Sequence, residues 1–181
     1  MKIYVIRHGQ TELNKKGIIN GHREDPLSPE GIEQAKMAMP SLPKTIKHFY
    51  VSSLERTKQT AKILNSELNI PMTFHDELKE VNFGILNGTP FLDEYKEKHK
   101  MQTYDWRPSG GESFNDVKVR VLKILKEIKK ENKDEEVLIV AHGGIIRLMH
   151  FLQFNEILNK IENASLHSFD LDEILKENKM L

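Results

Sequence analysis

The sequence predicts an α/β fold with a largely parallel sheet. Three observations predict it. Short apolar runs rich in β-branched residues occur at Lys2–Ile6, His48–Ser52 and Val137–Ala141, amphipathic stretches with helical spacing lie between them, and turn or capping signals mark the junctions. The chain has 181 residues, 38% of them hydrophobic. That length suits about one domain with its own core, so residues 1–181 are expected to form a single domain.

Lys2–Ile6 (KIYVI) reads as a buried strand that ends in Arg7-His8-Gly9. Asp25-Pro26-Leu27-Ser28-Pro29 leads into a helix, with Ser28 as N-cap and Pro29 in its first turn. That helix runs to about Met39, before Pro40 and Pro43. His48–Ser52 is a second strand. The next helix follows at once, with Ser52 and Glu55 spaced as a capping box and Ala61, Leu64 and Leu68 on one face, until Pro71 stops it. Met72–His75 is a weaker strand.

Residues 82–111 carry Gly84, Gly88, Pro90, Pro108, Gly110 and Gly111 and read as mostly irregular, with a short helix between Phe91 and Met101. Ser113 and Asp116 form a capping signature for a helix that places Val117, Val121, Leu125 and Ile128 on one face. Glu131–Glu136 is a charged turn. Val137–Ala141 (VLIVA) is the clearest strand, followed by His142-Gly143-Gly144 and a helix over Ile145–Phe154. Ala164–Leu171 reads as a last strand and Leu175–Leu181 as a frayed tail.

Composition narrows the function. Lys plus Arg and Asp plus Glu number 27 each, so the formal net charge is zero. This gives no footprint for nucleic acid or an anionic membrane, and neither is expected as a partner. Cysteine is absent, which excludes disulfides, thiolate catalysis and cysteine-ligated metal centres. The start, MKIYVIRHGQ, is apolar for only four residues before charge returns, too short for a signal segment. No apolar run approaches the ~20 residues of a membrane helix. A cytoplasmic location is the expectation.

Parallel strands bring their C-terminal ends to one edge, where open α/β sheets bind ligands. Three strands end in polar residues: Arg7 and His8, then Ser52 and Ser53 with Arg56 one turn on, then His142. Two arginines and two histidines at one edge repel each other unless an anion sits among them. Guanidinium groups and free N–H groups at a strand-to-helix turn suit phosphate, and Gly9, Gly143 and Gly144 let backbone approach it. His22, His48, His75, His99, His150 and His167 lack this context and read as structural. The loops GxxxxGK[ST] and GxGxxG are absent, as is HExxH, and no Asp/His cluster has metal-ligand spacing. No metal and no cofactor are expected.

Arg7-His8-Gly9-Gln10-Thr11-Glu12-Leu13-Asn14 resembles the RHGxTxxN signature of the histidine phosphatase superfamily, in the branch that includes cofactor-dependent phosphoglycerate mutases. The resemblance continues in order through GHREDPL (21–27), SPEGIEQA (28–35), SLERTKQTA (53–61), EVNFG (80–84), GGES (110–113) and AHGGIIR (141–147). Asn163-Ala164-Ser165-Leu166 is similar to the start of the family's last strand.

The resemblance implies a three-layer sandwich, a mostly parallel central sheet flanked by helices. It implies His8 as a nucleophile that becomes phosphohistidine, with Arg7, Arg56 and His142 on the phosphoryl oxygens. Asn14, Gly21 and the backbone N–H of Gly143 complete the pocket, and Glu80 protonates the leaving group. Without the resemblance, Glu80 is no different from its acidic neighbours Asp76 and Glu77. Arg147 and Ser113 stay open between functional and structural roles.

The reaction class is then phosphatase or mutase. Mutases of the family carry a longer insert with adjacent basic residues, whereas here the interval Ile85–Ser109 is short and has no Arg-Arg pair. A short cover over about 85–110 shields a phosphohistidine from water less well, which favours hydrolysis. The expected partner is a small phosphorylated metabolite. A phosphoglycerate mutase and an alpha-ribazole phosphatase remain alternatives, and so does a homodimer. Phe91, Tyr95, Tyr104 and Trp106 either line the outer cleft or pack the cover onto the sheet.

Overall fold

A computed structural model of the chain, described for residues 1–133 and 135–176, contains one five-stranded sheet. In chain order its elements are β1 (Lys2–Arg7), α1 (Glu12–Lys15), α2 (Pro29–Ala38), β2 (His48–Ser52), α3 (Glu55–Leu64) and β3 (Met72–His75). Then come α4 (Asp93–Lys100), α5 (Phe114–Asn132), β4 (Val137–Ala141), α6 (Gly143–Phe154), β5 (Leu166–Asp170) and α7 (Leu171–Lys176). The strand order is β3-β2-β4-β1-β5, with β5 antiparallel to β1 and every other pair parallel.

Side chains alternate across the sheet, so each strand feeds two cores. Ile3, Val5, Val137 and Ile139 pack with Val117, Val121, Leu125 and Ile128 of α5 and with Ile145 and Met149 of α6. Tyr4, Ile6, Phe49, Val51, Leu138 and Val140 pack on the other face with Ala61 and Leu64 of α3. The result is the expected three-layer sandwich. β1 and β4 are neighbours, but the chain leaves β1 toward the α2–α3 layer and β4 toward the α6 layer. The crevice between the C-terminal ends of β1 and β4 is therefore a topological switch point.

Two predicted caps form. Ser28 Oγ accepts from Gly31 N at 3.0 Å, and Ser113 and Asp116 close a reciprocal capping box at the start of α5. Ser113 thus has a structural task. The predicted box at Ser52 and Glu55 does not form. Leu54 is the N-cap of α3 and supplies no side-chain bond, while Ser52 ends β2 and its hydroxyl turns to His142. The α3 helix stops at Leu64, leaving Leu68 exposed. Asn65 causes the stop: its side chain brackets Ile70, accepting from the N–H at 2.9 Å and donating to the carbonyl at 2.7 Å.

Several boundaries shift. β1 takes in Arg7, α6 begins at Gly143 rather than Ile145, and α5 runs through Asn132 into the predicted charged turn. Position 134 of that turn lies outside the described residues. Of the predicted frayed tail, Leu175 and Lys176 belong to α7, and 177–181 lie outside the described residues. Between 85 and 110, Tyr104 and Trp106 are buried and nearly parallel, with Trp106 5.3 Å from the Phe83 ring. They pack this segment onto the body. Among the described residues no helix is long and apolar enough to cross a membrane.

Candidate active site

The parallel register sets β1 and β4 side by side, pairing Arg7 with Ala141, so the next residues, His8 and His142, are neighbours. His8 N donates to Ala141 O at 3.1 Å and the two imidazole centroids are 5.2 Å apart. Arg56, in the first turn of α3, reaches the same point from the end of β2. One cleft of about 100 Å³ is lined by Arg7, His8, Asn14, Gly21, Arg56 and Glu80, together with Ile18, Ile19, Asn20, Phe83, Phe91 and His99. Of the residues singled out in the sequence, His142 and Gly143 are not part of this lining: the His142 ring lies against His8, and Gly143 opens α6 near the Arg7 guanidinium.

The tautomer of His8 follows from its contacts. Its Nδ1 lies 2.7 Å from the Gly9 carbonyl, a hydrogen bond only if Nδ1 carries the proton. Arg56 Nε donates to His8 Nε2 at 3.2 Å, which requires a lone pair there. The ring is therefore neutral, with the unprotonated Nε2 as its nucleophilic atom. Burial foremost, then Arg56 and Arg7, hold the imidazole well below its usual range.

Arg56 is fully buried. Its other nitrogens donate to Arg23 O at 2.9 Å and Gly21 O at 2.8 Å. Arg7 Nη1 donates to Ile161 O at 2.5 Å, and its Nε is buried without a partner among the described residues. These contacts are carbonyls and a ring nitrogen, not carboxylates. Burial lowers both guanidiniums, Arg56 to about 10. Two desolvated cations with no ion pair among the described residues make a place suited to an anion.

His142 is fully buried, with Nε2 2.8 Å from Ser52 Oγ and Nδ1 unpartnered among the described residues. Burial, and then Arg56, push it well below the usual imidazole range. Asn14 sits in α1, where Oδ1 accepts from Thr11 N at 3.3 Å, and Asn163 links Asn14 to the His8 carbonyl. Glu80 stands over the N-terminus of α6: its Oε1 accepts from Val81 N at 2.9 Å and its Oε2 from Gly144 N at 3.3 Å. A Cβ on Gly144 would lie 2.3 Å from Glu80 Oε1, so only glycine admits the carboxylate there. A Cβ on Gly143 would meet Arg7 Nε at an ordinary 3.7 Å. Gly9 serves a protein contact instead, since its Cβ would strike Gly31 O at 2.2 Å.

Residues 3–177 match the histidine phosphatase superfamily (branch 1). The chain belongs to this superfamily. Histidine phosphatase relatives carry more than one activity. The chain is 30% identical to the adenosylcobalamin/alpha-ribazole phosphatase of Escherichia coli K12, over 82% of this chain and 77% of that one. It is 32% identical to the 2,3-bisphosphoglycerate-dependent phosphoglycerate mutase of Parvibaculum lavamentivorans, over 80% and 76%. Among solved structures, a mycobacterial glucosyl-3-phosphoglycerate phosphatase complexed with VO3 superposes with a TM-score of 0.83 at 25% identity, over 93% and 92%.

Sequence reasoning missed three features of this superfamily member. His99, read as structural, is buried in the cleft wall on α4. His22 Nε2 lies 2.7 Å from Glu80 O. Arg120 on α5 donates to the carbonyls of Glu77, Lys79 and Glu80 and to Glu112, which fixes the backbone that carries Glu80. Arg147, left open, donates to the carbonyls of Leu158 and Asn159 and so has a structural task.

Proposed function

We propose that the chain is a metal-independent phosphomonoester hydrolase acting on a small phosphorylated metabolite through a phosphohistidine at His8. The observation that carries this is the neutral His8 ring, its Nε2 lone pair beside Arg56 and its Nδ1 proton on the Gly9 carbonyl. Phosphoryl transfer needs an in-line nucleophile and fixed positive charge, and little else. His8 Nε2 supplies the first. Arg7, Arg56 and His142 supply the donors, with Asn14, Gly21 and the Gly143 N–H around them.

In the first step a P–N bond forms at Nε2 as the P–O bond to the leaving group breaks. That oxygen takes the bond's electron pair and receives a proton from Glu80 in its acid form. In the second, water attacks the phosphorus, its proton passes to the Glu80 carboxylate, the P–N bond breaks and phosphate leaves. We read 1–181 as one domain with residues 85–110 as its cover. The shortness of that segment supports hydrolysis over mutase transfer, and the E. coli relative makes alpha-ribazole phosphate one substrate to include.

A panel of phosphomonoesters assayed with EDTA present tests this reading. Phosphate release should persist in EDTA and vanish in His8→Ala, along with an acid-labile, base-stable phosphoryl label. Conversion of 3-phosphoglycerate with 2,3-bisphosphoglycerate into 2-phosphoglycerate faster than phosphate release would make the chain a mutase instead. A label that survives in His8→Ala would move the nucleophile to another residue.

A further inference from the structure

The inner end of the cleft holds both of its guanidiniums, Arg7 and Arg56. Beyond them the wall is Ile18, Ile19, Asn20, Phe83, Phe91 and His99. The three rings form a cluster: Phe83 and Phe91 meet edge-on at 5.7 Å, and His99 lies 5.5 Å from Phe83 and 6.0 Å from Phe91. Two polar atoms in this wall are buried without partners among the described residues, His99 Nδ1 and Asn20 Oδ1. Asn20 orients that oxygen by donating from Nδ2 to Thr11 Oγ1 at 2.9 Å. Buried polar atoms left unpaired in an apolar wall are where a ligand's hydrogen-bonding groups gain most.

Among the described residues, the cleft lining holds no third Lys or Arg for a second negative charge. Three basic side chains of the cover are engaged at the surface: Lys96 with Asp93, Lys100 with Glu97 and Arg107 with Asp105. Arg147 donates to the carbonyls of Leu158 and Asn159 and does not line the cleft. Burial holds His99 neutral, with its pKa lowered to about 4. Glu80 lies beside it, so a carboxylate in the outer cleft would meet an acceptor oxygen and another carboxylate.

We propose that the outer cleft selects an uncharged leaving alcohol bearing its own hydroxyl or N–H donor, and that His99 and Asn20 are the residues that read it. The inference rests on the hydrolase reading and deepens it. Esters of this class place phosphate on the arginines, an apolar or ring face on Phe83 and Phe91, and a donor on Asn20 Oδ1. Esters whose alcohol carries a carboxylate are discriminated against, because binding them leaves that charge desolvated and unpaired.

Glycerol 3-phosphate and 3-phosphoglycerate form a matched pair, differing by a hydroxymethyl for a carboxylate. The uncharged member should have a kcat/KM at least tenfold higher. His99→Phe keeps a ring but loses the nitrogens. It should lower kcat/KM for glycerol 3-phosphate about fivefold relative to benzyl phosphate, which has no donor, and His99→Gln should restore part of the ratio. Equal or better use of 3-phosphoglycerate overturns the proposal, as does an equal effect of His99→Phe on all three esters. If no ester is turned over, the hydrolase reading fails by itself. Calorimetric affinities of the matched pair for His8→Ala protein then decide the selectivity question, tighter 3-phosphoglycerate overturning it.

Discussion

Ser52 Oγ lies 2.8 Å from His142 Nε2, and both side chains are fully buried. A neutral imidazole has one N–H. When the serine hydroxyl donates to Nε2, the ring proton sits on Nδ1, the atom left without a partner. That is the tautomer an anion requires. Ser52→Ala should lower kcat/KM about tenfold, near 1.4 kcal/mol, and weaken vanadate inhibition, with an unchanged circular dichroism spectrum. A vanadate inhibition constant equal to that of the parent would sink this role for Ser52.

Arg56 holds His8 and the carbonyls of Gly21 and Arg23 from a fully buried position. An anion that binds only the folded state stabilises it by about 1.4 kcal/mol at ten times its Kd. Inorganic phosphate should therefore raise the Tm of the parent. In Arg56→Met that shift should disappear, and turnover should fall by three orders of magnitude or more. A phosphate-dependent Tm rise of the same size in Arg56→Met would place the anion elsewhere.

Gly144 and Gly143 respond differently to a methyl group. Gly144→Ala drives a Cβ to within 2.3 Å of Glu80 Oε1 and 3.0 Å of Val81 Cγ2, so Glu80 must leave the α6 N-terminus. We expect kcat to drop about a hundredfold, with KM changed less. Gly143→Ala meets nothing closer than 3.7 Å and should keep the parent's Tm. Full kcat in Gly144→Ala would show that proton delivery does not depend on Glu80 in this position.

His8, His99 and His142 all have lowered pKa values, mainly through burial. Below the ordinary imidazole value of ~6.5 the unfolded chain takes up protons that the folded chain refuses. Stability is therefore complete above that value and declines as pH falls through it, for His99 down to about 4. Each such group contributes a slope of up to ~1.4 kcal/mol per pH unit. In phosphate-free buffer, Tm should be nearly level from pH 7.5 to 7 and then fall toward pH 5, less steeply in His99→Phe. A flat Tm over that range contradicts buried neutral rings.

Much of the frame was legible because its signals are local. Val137–Ala141 is a run of apolar residues long enough for a buried strand and nothing else, and the Ser28 and Ser113 caps depend on residues three positions away. The edge where Arg7, His8, Arg56 and His142 meet followed from parallel strands ending together. What stayed hidden depends on distant partners. Ser52 was read as a cap for its own helix, but its hydroxyl is claimed by His142, ninety positions on. His99 sits in a helix of mostly charged residues, DEYKEKHK, whose pattern gives no sign that one side chain enters a cleft. Trp106 and Tyr104 looked equally suited to lining or packing, and only the stacked arrangement around Phe83 decides for packing.

The placement of β1 also governs when the chain can become active. Both neighbours of β1 lie far along the sequence: β4 begins at Val137 and β5 at Leu166. During synthesis the strand that leads to His8 thus emerges long before β4 and β5 and waits for them, unpaired and apolar. Non-local pairing of this kind makes folding slow and exposes an aggregation-prone segment in the meantime. A nascent chain shorter than about residue 141 has no β4 against which to seat Arg7 and no His142 beside His8. Activity therefore arrives late and abruptly, with the closing of the sheet, and chaperone demand should peak before it.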